Sequence, residues 1–434
     1  MPGIVRGQPG ERGLPPECAL MNKQLLIAGG GIGGMALALA ASRQGVEVDL
    51  LEQASEFSEV GAGIQLGPNA VRVLAEWGLT DALNAVAAFP EALCARDAHS
   101  GQVLGRMPLG DRARQRYGQP YATIHRADAL SLLVHAVKRQ PGVTLQLHDR
   151  VRSVWETPEG AGLLTEGGRE LEAGALVGCD GLWSVVRRHV MTGPQGLVRG
   201  VELPADTPPR FTGHVAYRGM VTQAELPAHL QTMQVTAWLG PRLHVVAYPV
   251  RRGALLNVVA VVQGQQAGLP NAWTHEAHHA DLVQAMGPVH AELAQVLEQV
   301  ATWKLWPLND RPPLTGAYCH AQGKVALAGD AAHPMRPFLA QGAAMALEDA
   351  WTLGKLLEQG QSIRPDTTVN WADLFGRYAQ VRWRRNARVQ AEAISYGRAY
   401  HLSGWMRMAR NVSMAMLGER LMDKPWLYDG PPMP

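Results

Sequence analysis

The start of the chain combines a short apolar run, a stretch with helical spacing and a second apolar run. Leu25–Ala28 is apolar and ends at glycine, Met35–Arg43 is rich in small residues, and Val46–Leu51 follows Gly45. Short apolar runs bounded by glycine are typical of parallel strands that are buried on both faces. The pattern therefore predicts a strand–helix–strand unit at this point.

Two more buried strands are predicted further along, at Ala175–Gly178 and Lys324–Ala328, and each leads to an acidic residue and a helix. Between them, Phe211–Val262 alternates apolar and polar residues, with turns at Gly240–Pro241 and Arg252–Gly253. Alternation with period two indicates an antiparallel sheet, here of at least three strands. The change of pattern predicts that this sheet is a separate layer inserted between the two buried strands.

Helical patterns account for most of the remaining chain. Asn271–Val300 is predicted to be helical, and so is most of the chain from Ala343 to Met422. The predicted fold class is α/β: a parallel-sheet domain with helices, an inserted antiparallel-sheet domain and a C-terminal helical region. The predicted ranges are 1–20 for a disordered extension, 21–195 and 310–360 for the first domain, 196–309 for the inserted domain and 361–434 for the helical region.

The glycines after the first strand have the spacing of a dinucleotide-binding turn. Gly29, Gly31 and Gly34 form G-x-G-x-x-G, and Glu52 ends the second strand. The first glycine permits a tight turn, the second lets the backbone approach a pyrophosphate, and the third allows close packing of helix on strand. The positive end of the helix faces the phosphates, and an acid at the end of the second strand accepts hydrogen bonds from ribose hydroxyls. The sequence therefore predicts an adenine dinucleotide.

Composition and charge restrict the class of protein further. The chain is 47% hydrophobic and 18% charged with a net charge of +2, which is ordinary for an α/β protein and indicates no acidic partner. No apolar run approaches the ~20 residues of a membrane span, and four scattered cysteines favour free thiols in a reducing cytoplasm. The basic stretch Arg382–Arg388 is predicted to be a solvated or subunit-facing helix surface, so no nucleic acid is expected. The histidines near 275–279 lack a metal-binding pattern, so no metal is predicted.

Three further features indicate a ligand site. Gly61–Gly67 is rich in glycine, which favours close approach of the backbone to a ligand, although an ordinary loop is the alternative. Arg126 is predicted at a helix start, where a cation is normally unfavourable. An anionic ligand nearby is one interpretation, and a solvated arginine is the alternative. Asp330 ends a buried strand and therefore lies at the carboxyl edge of the sheet, where α/β folds bind ligands.

Three motifs stand in order along the chain: GGGIGG with Glu52, GCDG at Gly178–Gly181, and GDAAHP at Gly329–Pro334. Together they resemble those of the group A, single-component FAD-dependent aromatic hydroxylases, over essentially the whole chain from Met21. The resemblance implies a Rossmann-like FAD-binding domain with an inserted substrate domain. GAGIQLGPN, AYRG and LGPRLH followed by YP are most similar to the 3-hydroxybenzoate 6-hydroxylases, and then to the salicylate and 6-hydroxynicotinate hydroxylases.

The resemblance also implies the cofactors. FAD is expected to bind non-covalently, with Asp180 near the pyrophosphate and the pyridine nucleotide, and Asp330 on the ribityl chain. Because the sequence has a single G-x-G-x-x-G, NADH or NADPH is expected to bind only transiently as the reductant. The predicted cofactor-binding residues are Gly29, Gly31, Gly33, Gly34, Glu52, Gly63, Arg126, Asp180, Asp330, Ala340, Gln341, Gly342 and Ala343.

The chemistry of the family requires a base beside a phenol. Its flavin C4a-hydroperoxide is a weak electrophile and attacks a ring that has been made electron-rich by deprotonation of a hydroxyl. His244 and Tyr248 share one face of a predicted strand, so His244 is predicted to take the phenol proton and Tyr248 to bind the phenolate. A satisfied core or surface histidine is the alternative.

Substrate binding is less well defined by the sequence. Gln65 and Arg336 are predicted to bind substrate, and Arg336 lies in MRPFLAQG, where the hydroxybenzoate hydroxylases have a sequence resembling PLQYLASG. Arg336 suits a bidentate pair with a carboxylate, but an FAD phosphate or solvent are alternatives. Tyr217 and Arg218 are adjacent on a strand and face opposite ways, so at most one lines the pocket.

The predicted function is an FAD-dependent monooxygenase that uses NAD(P)H and O2 to hydroxylate a small hydroxylated aromatic acid, 3-hydroxybenzoate being favoured. Salicylate or a hydroxynicotinate is the alternative substrate. An FAD-dependent reductase or oxidase without oxygen insertion and a non-catalytic flavin-binding protein are the alternatives of another class. The enzyme is expected to be cytoplasmic and a monomer or homodimer. The sequence does not distinguish NADH from NADPH.

Overall fold

The computed structural model describes most of the chain after the N-terminal extension, so the predicted disorder of residues 1–20 lies outside the described part. The described residues are 23–57, 62–192, 197–198, 201–202, 206–265, 275–363 and 369–434. Within them, no helix combines the length and the apolar character that a membrane span requires. The three cysteines they contain are free thiols.

The first domain is built on a six-stranded sheet, called here the nucleotide-binding sheet. Four of its five strand pairs are parallel, and only the edge pair is antiparallel. The predicted strand–helix–strand unit is present, with the helix Ile32–Ser42 between two neighbouring strands. This helix is buried along nearly its whole length, because the long helix Gly342–Ile363 packs on it. In spatial order the strands are Ala321–Gln322, Val325–Leu327, Ala175–Gly178, Gln24–Ala28, Glu47–Leu51 and Val143–Gln146.

Smaller sheets and helices complete this domain. One sheet consists of Val151–Glu156, Ala161–Thr165 and Glu170–Ala173, another of Gly63–Leu66 and Ala122–His125, and a third of Leu197–Val198 and Val201–Glu202. The helices are Pro68–Glu76, Thr80–Val86, Gly110–Tyr117, Arg126–Lys138 and Val185–Thr192, and two 3-10 helices are Ala317–Cys319 and Gly329–Ala331.

The inserted layer is an eight-stranded sheet, called here the large sheet. The antiparallel strands predicted within Phe211–Val262 are confirmed, as are both predicted turns. Two strands come instead from residues 92–108, which the sequence placed in the first domain, and one of them pairs in parallel with Gln234–Gly240. In spatial order the strands are His275–Ala277, Trp303–Asp310, Arg210–Thr222, Leu255–Gln263, Leu243–Val250, Gln234–Gly240, Ala92–Asp97 and Val103–Pro108, and three 3-10 helices, Gln223–Glu225, Ala228–Leu230 and Arg251–Gly253, lie in its loops.

The single helix predicted for Asn271–Val300 is wrong within the described residues. The structure has the strand His275–Ala277 and two short helices, His279–Met286 and Ala291–Glu298. Gly287 has φ 67° and ends the first of these helices, and Pro288 follows it. A glycine with positive φ followed by proline is a strong helix stop, and it outweighs the helical periodicity around it. The two helices cover the face of the large sheet that is opposite to His244.

The C-terminal region is helical, as predicted, but only part of its basic stretch is solvated: Arg384 and Arg388 are exposed, and other members are buried. The stretch lies in Trp371–Tyr400, where Arg382 and Asn386 are fully buried. Arg382 bonds to Glu348 and Asp349 of the preceding helix, since two buried carboxylates there require cations. The helices of this region are Gly342–Ile363, Trp371–Tyr400, Gly404–Met422, which is kinked at Gly418, and Pro425–Tyr428, with the 3-10 helix Pro337–Leu339 before them.

Candidate active site

The glycine turn contains two glycines that the fold requires and a third, Gly31, that faces open space. Gly29 has φ 105°, and a Cβ there would collide with the carbonyl of Cys179. A Cβ at Gly34 would collide with the carbonyl oxygen of Gly29, so these two glycines are required by the fold itself. A Cβ at Gly31 would meet no atom of the described residues within 4 Å. Gly31 therefore borders the cleft, at the position where the backbone is expected to approach a pyrophosphate.

Two other predicted cofactor-binding glycines are packed against protein. A Cβ at Gly33 would lie 3.4 Å from the Cβ of Ala346. A Cβ at Gly63 would lie 2.6 Å from the ring of Tyr248, and the Gly63 N–H donates to Oδ1 of Asn257 at 2.7 Å. Close packing is thus a sufficient physical reason for Gly63, whereas the distance at Gly33 is an ordinary van der Waals contact. A direct contact of either glycine with a cofactor stays a prediction.

The carboxylate of Glu52 lies beside the glycine turn. It accepts hydrogen bonds from the backbone N–H of Gly30 at 2.6 Å and from that of Ala54 at 2.8 Å. These two bonds fix its orientation at the end of the strand Glu47–Leu51. An ionised carboxylate accepts about four hydrogen bonds, so two positions remain for ligand hydroxyls. This arrangement suits the predicted ribose contact.

Asp180 has one satisfied and one orphaned oxygen. Its Oδ2 accepts from the N–H groups of Val185 and Val186, at 2.7 and 3.3 Å, and so caps the helix Val185–Thr192. Its Oδ1 is buried and has no partner among the residues that the structure describes. Burial raises the pKa of this carboxyl. A buried orphan acceptor is unfavourable by roughly 1–3 kcal/mol, so the position is suited to a ligand that donates a hydrogen bond.

Asp330 and Arg126 lie at the same end of the nucleotide-binding sheet. Asp330 follows the strand Val325–Leu327 and is exposed to the cleft. The protein around it raises the pKa of its carboxyl, and the electrostatic effects of His333 and Arg126 oppose that shift. Arg126 begins its helix, as predicted, and its backbone N–H donates to the carbonyl of Ala62. The two predicted cofactor-binding side chains are therefore near enough to interact electrostatically.

The loop before the helix Gly342–Ile363 presents unpaired donors to this cleft. Ala340 adopts the left-handed conformation, with φ 52° and ψ 40°. Gln341 is buried, and its Oε1 accepts from Asn69, while its Nε2 has no partner in the described part of the chain. Gly342 and Ala343 are partly exposed at the first turn, where N–H groups lack intrahelical acceptors. The positive helix end thus favours a negative charge in the cleft.

A buried ionic network holds this loop and the GDAAHP segment in place. Asp349 accepts from the Gly329 N–H at 3.0 Å, from His333 Nε2 at 2.5 Å and from Arg382 Nε at 2.8 Å. Burial alone would raise the pKa of Asp349, but His333 and Arg382 outweigh it and hold that pKa well below its usual range. Sequence reasoning missed this network. The adjacent acids Glu348 and Asp349 in an otherwise apolar helix were the available signal.

The predicted face of the large sheet is confirmed. His244 and Tyr248 are buried and lie four residues apart on one face of the strand, opposite Val261 and Asn257 of the next strand. His244 packs edge-on against Phe338 of the cleft loop, with ring centroids 5.1 Å apart. Burial, and then the neighbouring histidines, hold the pKa of His244 well below its ordinary value. The ring is therefore neutral near pH 7 and able to accept a proton.

The sequence predicted that at most one of Tyr217 and Arg218 lines the pocket, without deciding which. Tyr217 packs on the opposite side of the sheet against Trp303, whereas Arg218 lies over the ring of Trp306 at 4.2 Å. Its Nε is buried without a partner, and among the described residues no carboxylate pairs with it. Burial lowers the pKa of Arg218 to about 10, Tyr248 opposes the shift, and Arg126 adds to it. Arg218 is thus a cation at the site that lacks an anion.

The two residues predicted to bind substrate already have protein partners. Arg336 donates from Nε to Asp310 at 2.7 Å, and Arg210 donates to the other oxygen of that carboxylate. Gln65 accepts from the hydroxyl of Tyr121 at 2.7 Å. Contact of either residue with substrate stays a prediction, and Arg336 is less available to a ligand than Arg218 is.

Comparison with known proteins identifies the class. Residues 22–362 match a family model described as an FAD binding domain. The chain is 35% identical over 388 residues to a 3-hydroxybenzoate 6-hydroxylase of Klebsiella oxytoca, covering 89% of this chain and 91% of the relative. It is 34% identical over 406 residues to a 3-amino-4-hydroxybenzoate 2-monooxygenase of Streptomyces platensis, covering 93% and 95%. A solved salicylate hydroxylase substrate complex superimposes with TM-score 0.76 at 27% identity, covering 94% and 95%.

The chain belongs to the FAD-binding family of aromatic hydroxylases, and the predicted family is confirmed. It is an FAD-dependent aromatic-ring monooxygenase. The cleft fits the cofactor, because open space adjoins Gly31, the orphaned oxygen of Asp180 is free to accept a hydrogen bond, and a positive helix end lies at Gly342. Within that cleft, Glu52, Asp180 and Asp330 remain the predicted polar contacts.

Proposed function

We propose that the enzyme uses NAD(P)H and O2 to hydroxylate a small hydroxylated aromatic acid, with 3-hydroxybenzoate as the favoured substrate. One oxygen atom enters the ring and the other leaves as water, so each turnover consumes one NAD(P)H and one proton. The observation that carries the proposal is the presence of a neutral buried histidine, a tyrosine and an unpaired arginine on one sheet face beside the cleft loop. The names of the relatives support the choice of acid.

Each of the three side chains has a separate role in this proposal. FAD, when bound, supplies the reduction of oxygen on which hydroxylation depends. His244 takes the proton of the ring hydroxyl. Because the pKa of His244 is lowered, its ring is neutral at neutral pH and has a lone pair for that proton. Tyr248 donates a hydrogen bond to the resulting phenolate, because burial raises the pKa of its own hydroxyl and keeps it protonated. The apolar residues around Phe338 exclude water from these groups.

Arg218 is proposed to bind the carboxylate of the substrate. A guanidinium pairs with a carboxylate through two parallel hydrogen bonds, and a buried cation without a counterion is unfavourable. Arg218 meets both conditions, while Arg336 already shares the charge of Asp310.

We expect Arg218→Met to weaken binding of 3-hydroxybenzoate at least about 30-fold, since loss of one partner of a buried charge pair costs about 2–5 kcal/mol. The measurement is a titration of the substrate-induced change in flavin absorbance. The neutral analogue 3-hydroxybenzamide should bind both forms alike, which separates loss of the ion pair from loss of structure. Arg336→Met is the matched control, and a loss confined to that variant would assign the carboxylate to Arg336 instead.

The proposed function is tested by a substrate panel. Purified enzyme is incubated with NADH or NADPH and with 3-hydroxybenzoate, salicylate or 6-hydroxynicotinate, while reductant consumption and hydroxylated product are both measured. We expect one acid to accelerate reductant consumption and to yield product in near-equal amount, because an enzyme without a second dinucleotide domain must limit wasteful oxidation. Reductant consumption that every acid leaves unchanged and that yields no product would instead identify a reductase or an oxidase.

A further inference from the structure

Three histidines from distant parts of the chain form one line of hydrogen bonds that ends at a backbone carbonyl. Nδ1 of His244 lies 2.8 Å from Nε2 of His401, and Nδ1 of His401 lies 3.2 Å from Nε2 of His214. Nδ1 of His214 lies 3.1 Å from the carbonyl oxygen of Thr212. His401 is the residue that follows the last turn of the helix Trp371–Tyr400, and its own carbonyl accepts from the Arg242 N–H.

The carbonyl at the end of the line determines the direction of every bond in it. A carbonyl oxygen only accepts, so His214 donates from Nδ1 and its Nε2 is left as an acceptor. His401 must then donate from Nδ1 to His214, which leaves Nε2 of His401 as an acceptor. His244 therefore donates from Nδ1, and its Nε2 carries a lone pair. Among the described residues, Nε2 of His244 has no hydrogen-bond partner.

We infer that His401 and His214 are positioning residues that hold His244 in the tautomer with a basic Nε2. The inference rests on the proposed function, in which His244 takes the phenol proton. After the proton is taken, His244 donates from Nδ1 to His401 as an imidazolium, and a hydrogen bond from a charged donor is stronger than one from a neutral donor. The bond to His401 thus orients the neutral base and persists when His244 is protonated.

The protein around the three histidines keeps their rings neutral, and the donor and acceptor assignments along the line of hydrogen bonds require neutral rings. Burial lowers the pKa of His401 to about 4, and His214, Arg410 and Arg336 add to the shift. Burial likewise lowers the pKa of His214, and Arg336 adds to that shift. The other groups packed against the rings are Phe338 and Tyr400, and no carboxylate of the described chain bonds to them.

We expect His401→Leu to lower product formation about 10–10²-fold while reductant consumption continues, since loss of an orienting partner has effects of this size. His401→Gln should retain most of the coupling, because the Gln side chain offers an acceptor to His244 and a donor to His214. His214→Leu, which removes only the carbonyl end of the line, should give a smaller loss. The exposed His229→Leu is the control for histidine replacement.

The second measurement reports the tautomer directly. In ¹⁵N-histidine-labelled holoenzyme, the shifts of His244 should show a protonated Nδ1 and an unprotonated Nε2, and His401→Leu should convert part of the population to the other tautomer. Full coupling and an unchanged tautomer in folded, FAD-containing His401→Leu would overturn the inference. If His244→Ala stays coupled, the proposed base is wrong, but the tautomer shift still tests the line of histidines separately.

Discussion

His244→Ala is expected to consume NAD(P)H at a rate close to that of the unaltered enzyme and to form little hydroxylated product. Loss of a general base typically lowers the catalysed step by ~10²–10⁴-fold. FAD binding should be retained, because the proposed cofactor contacts at Glu52, Asp180 and Asp330 lie on the other domain. The electrons that no longer reach product should be recovered as hydrogen peroxide, so the measurement is the ratio of product to reductant consumed, with peroxide assayed in parallel.

Tyr248→Phe is the matched comparison for this variant. It removes one hydroxyl and keeps the ring that packs against Gly63, so the uncoupling should have the same character and be milder. The pH dependence provides a further check. Because the pKa of His244 is lowered, the base is present at neutral pH and is lost only as the pH falls through that lowered pKa. A fully coupled His244→Ala enzyme would show that the histidine is structural.

Gly31→Val is expected to yield a folded protein that does not retain FAD. The added side chain would meet no protein atom within 4 Å of its Cβ, so the fold accommodates it, and the residue's φ of −71° is allowed for any amino acid. The same side chain would occupy the space in which the backbone approaches the pyrophosphate. We expect FAD affinity to fall at least ~10²-fold, because the phosphates lose contact with the helix end. The measurements are the flavin absorbance of the purified protein and the release of FAD on heating.

Variants at two further glycines distinguish a loss of FAD binding from a loss of folding in that experiment. Gly34→Val places a Cβ on the carbonyl of Gly29, so it should lower the melting temperature of the FAD-free protein as well. Gly376→Val lies on an exposed helix face with no atom near its Cβ and should alter neither property strongly. If Gly31→Val protein binds FAD as tightly as the unaltered chain does, the cofactor does not pass over this turn.

Elements with a local pattern could be predicted from the sequence. The glycine turn, the buried strands that end before Asp180 and Asp330, and the shared face of His244 and Tyr248 all follow from periods of two or from short fixed spacings. The strands of residues 92–108 and the break at Gly287 were not predicted. Pairing in the large sheet joins residues more than a hundred positions apart, and no local pattern records such a contact.

The sequence by itself determined the fold class, the FAD-binding domain and the position of the proposed base, because these depend on residues that are close together along the chain. The tertiary structure alone decided which charged side chains are already paired within the protein and which remain available to a ligand. It buried Arg382 against Asp349, paired Arg336 with Asp310 and left Arg218 without a carboxylate among the residues that the structure describes. It also brought His401 into hydrogen-bond distance of His244 and His214, which lie 157 and 187 positions earlier in the sequence. Side-chain pairing depends on distances between separate elements, and only the packed fold sets those distances.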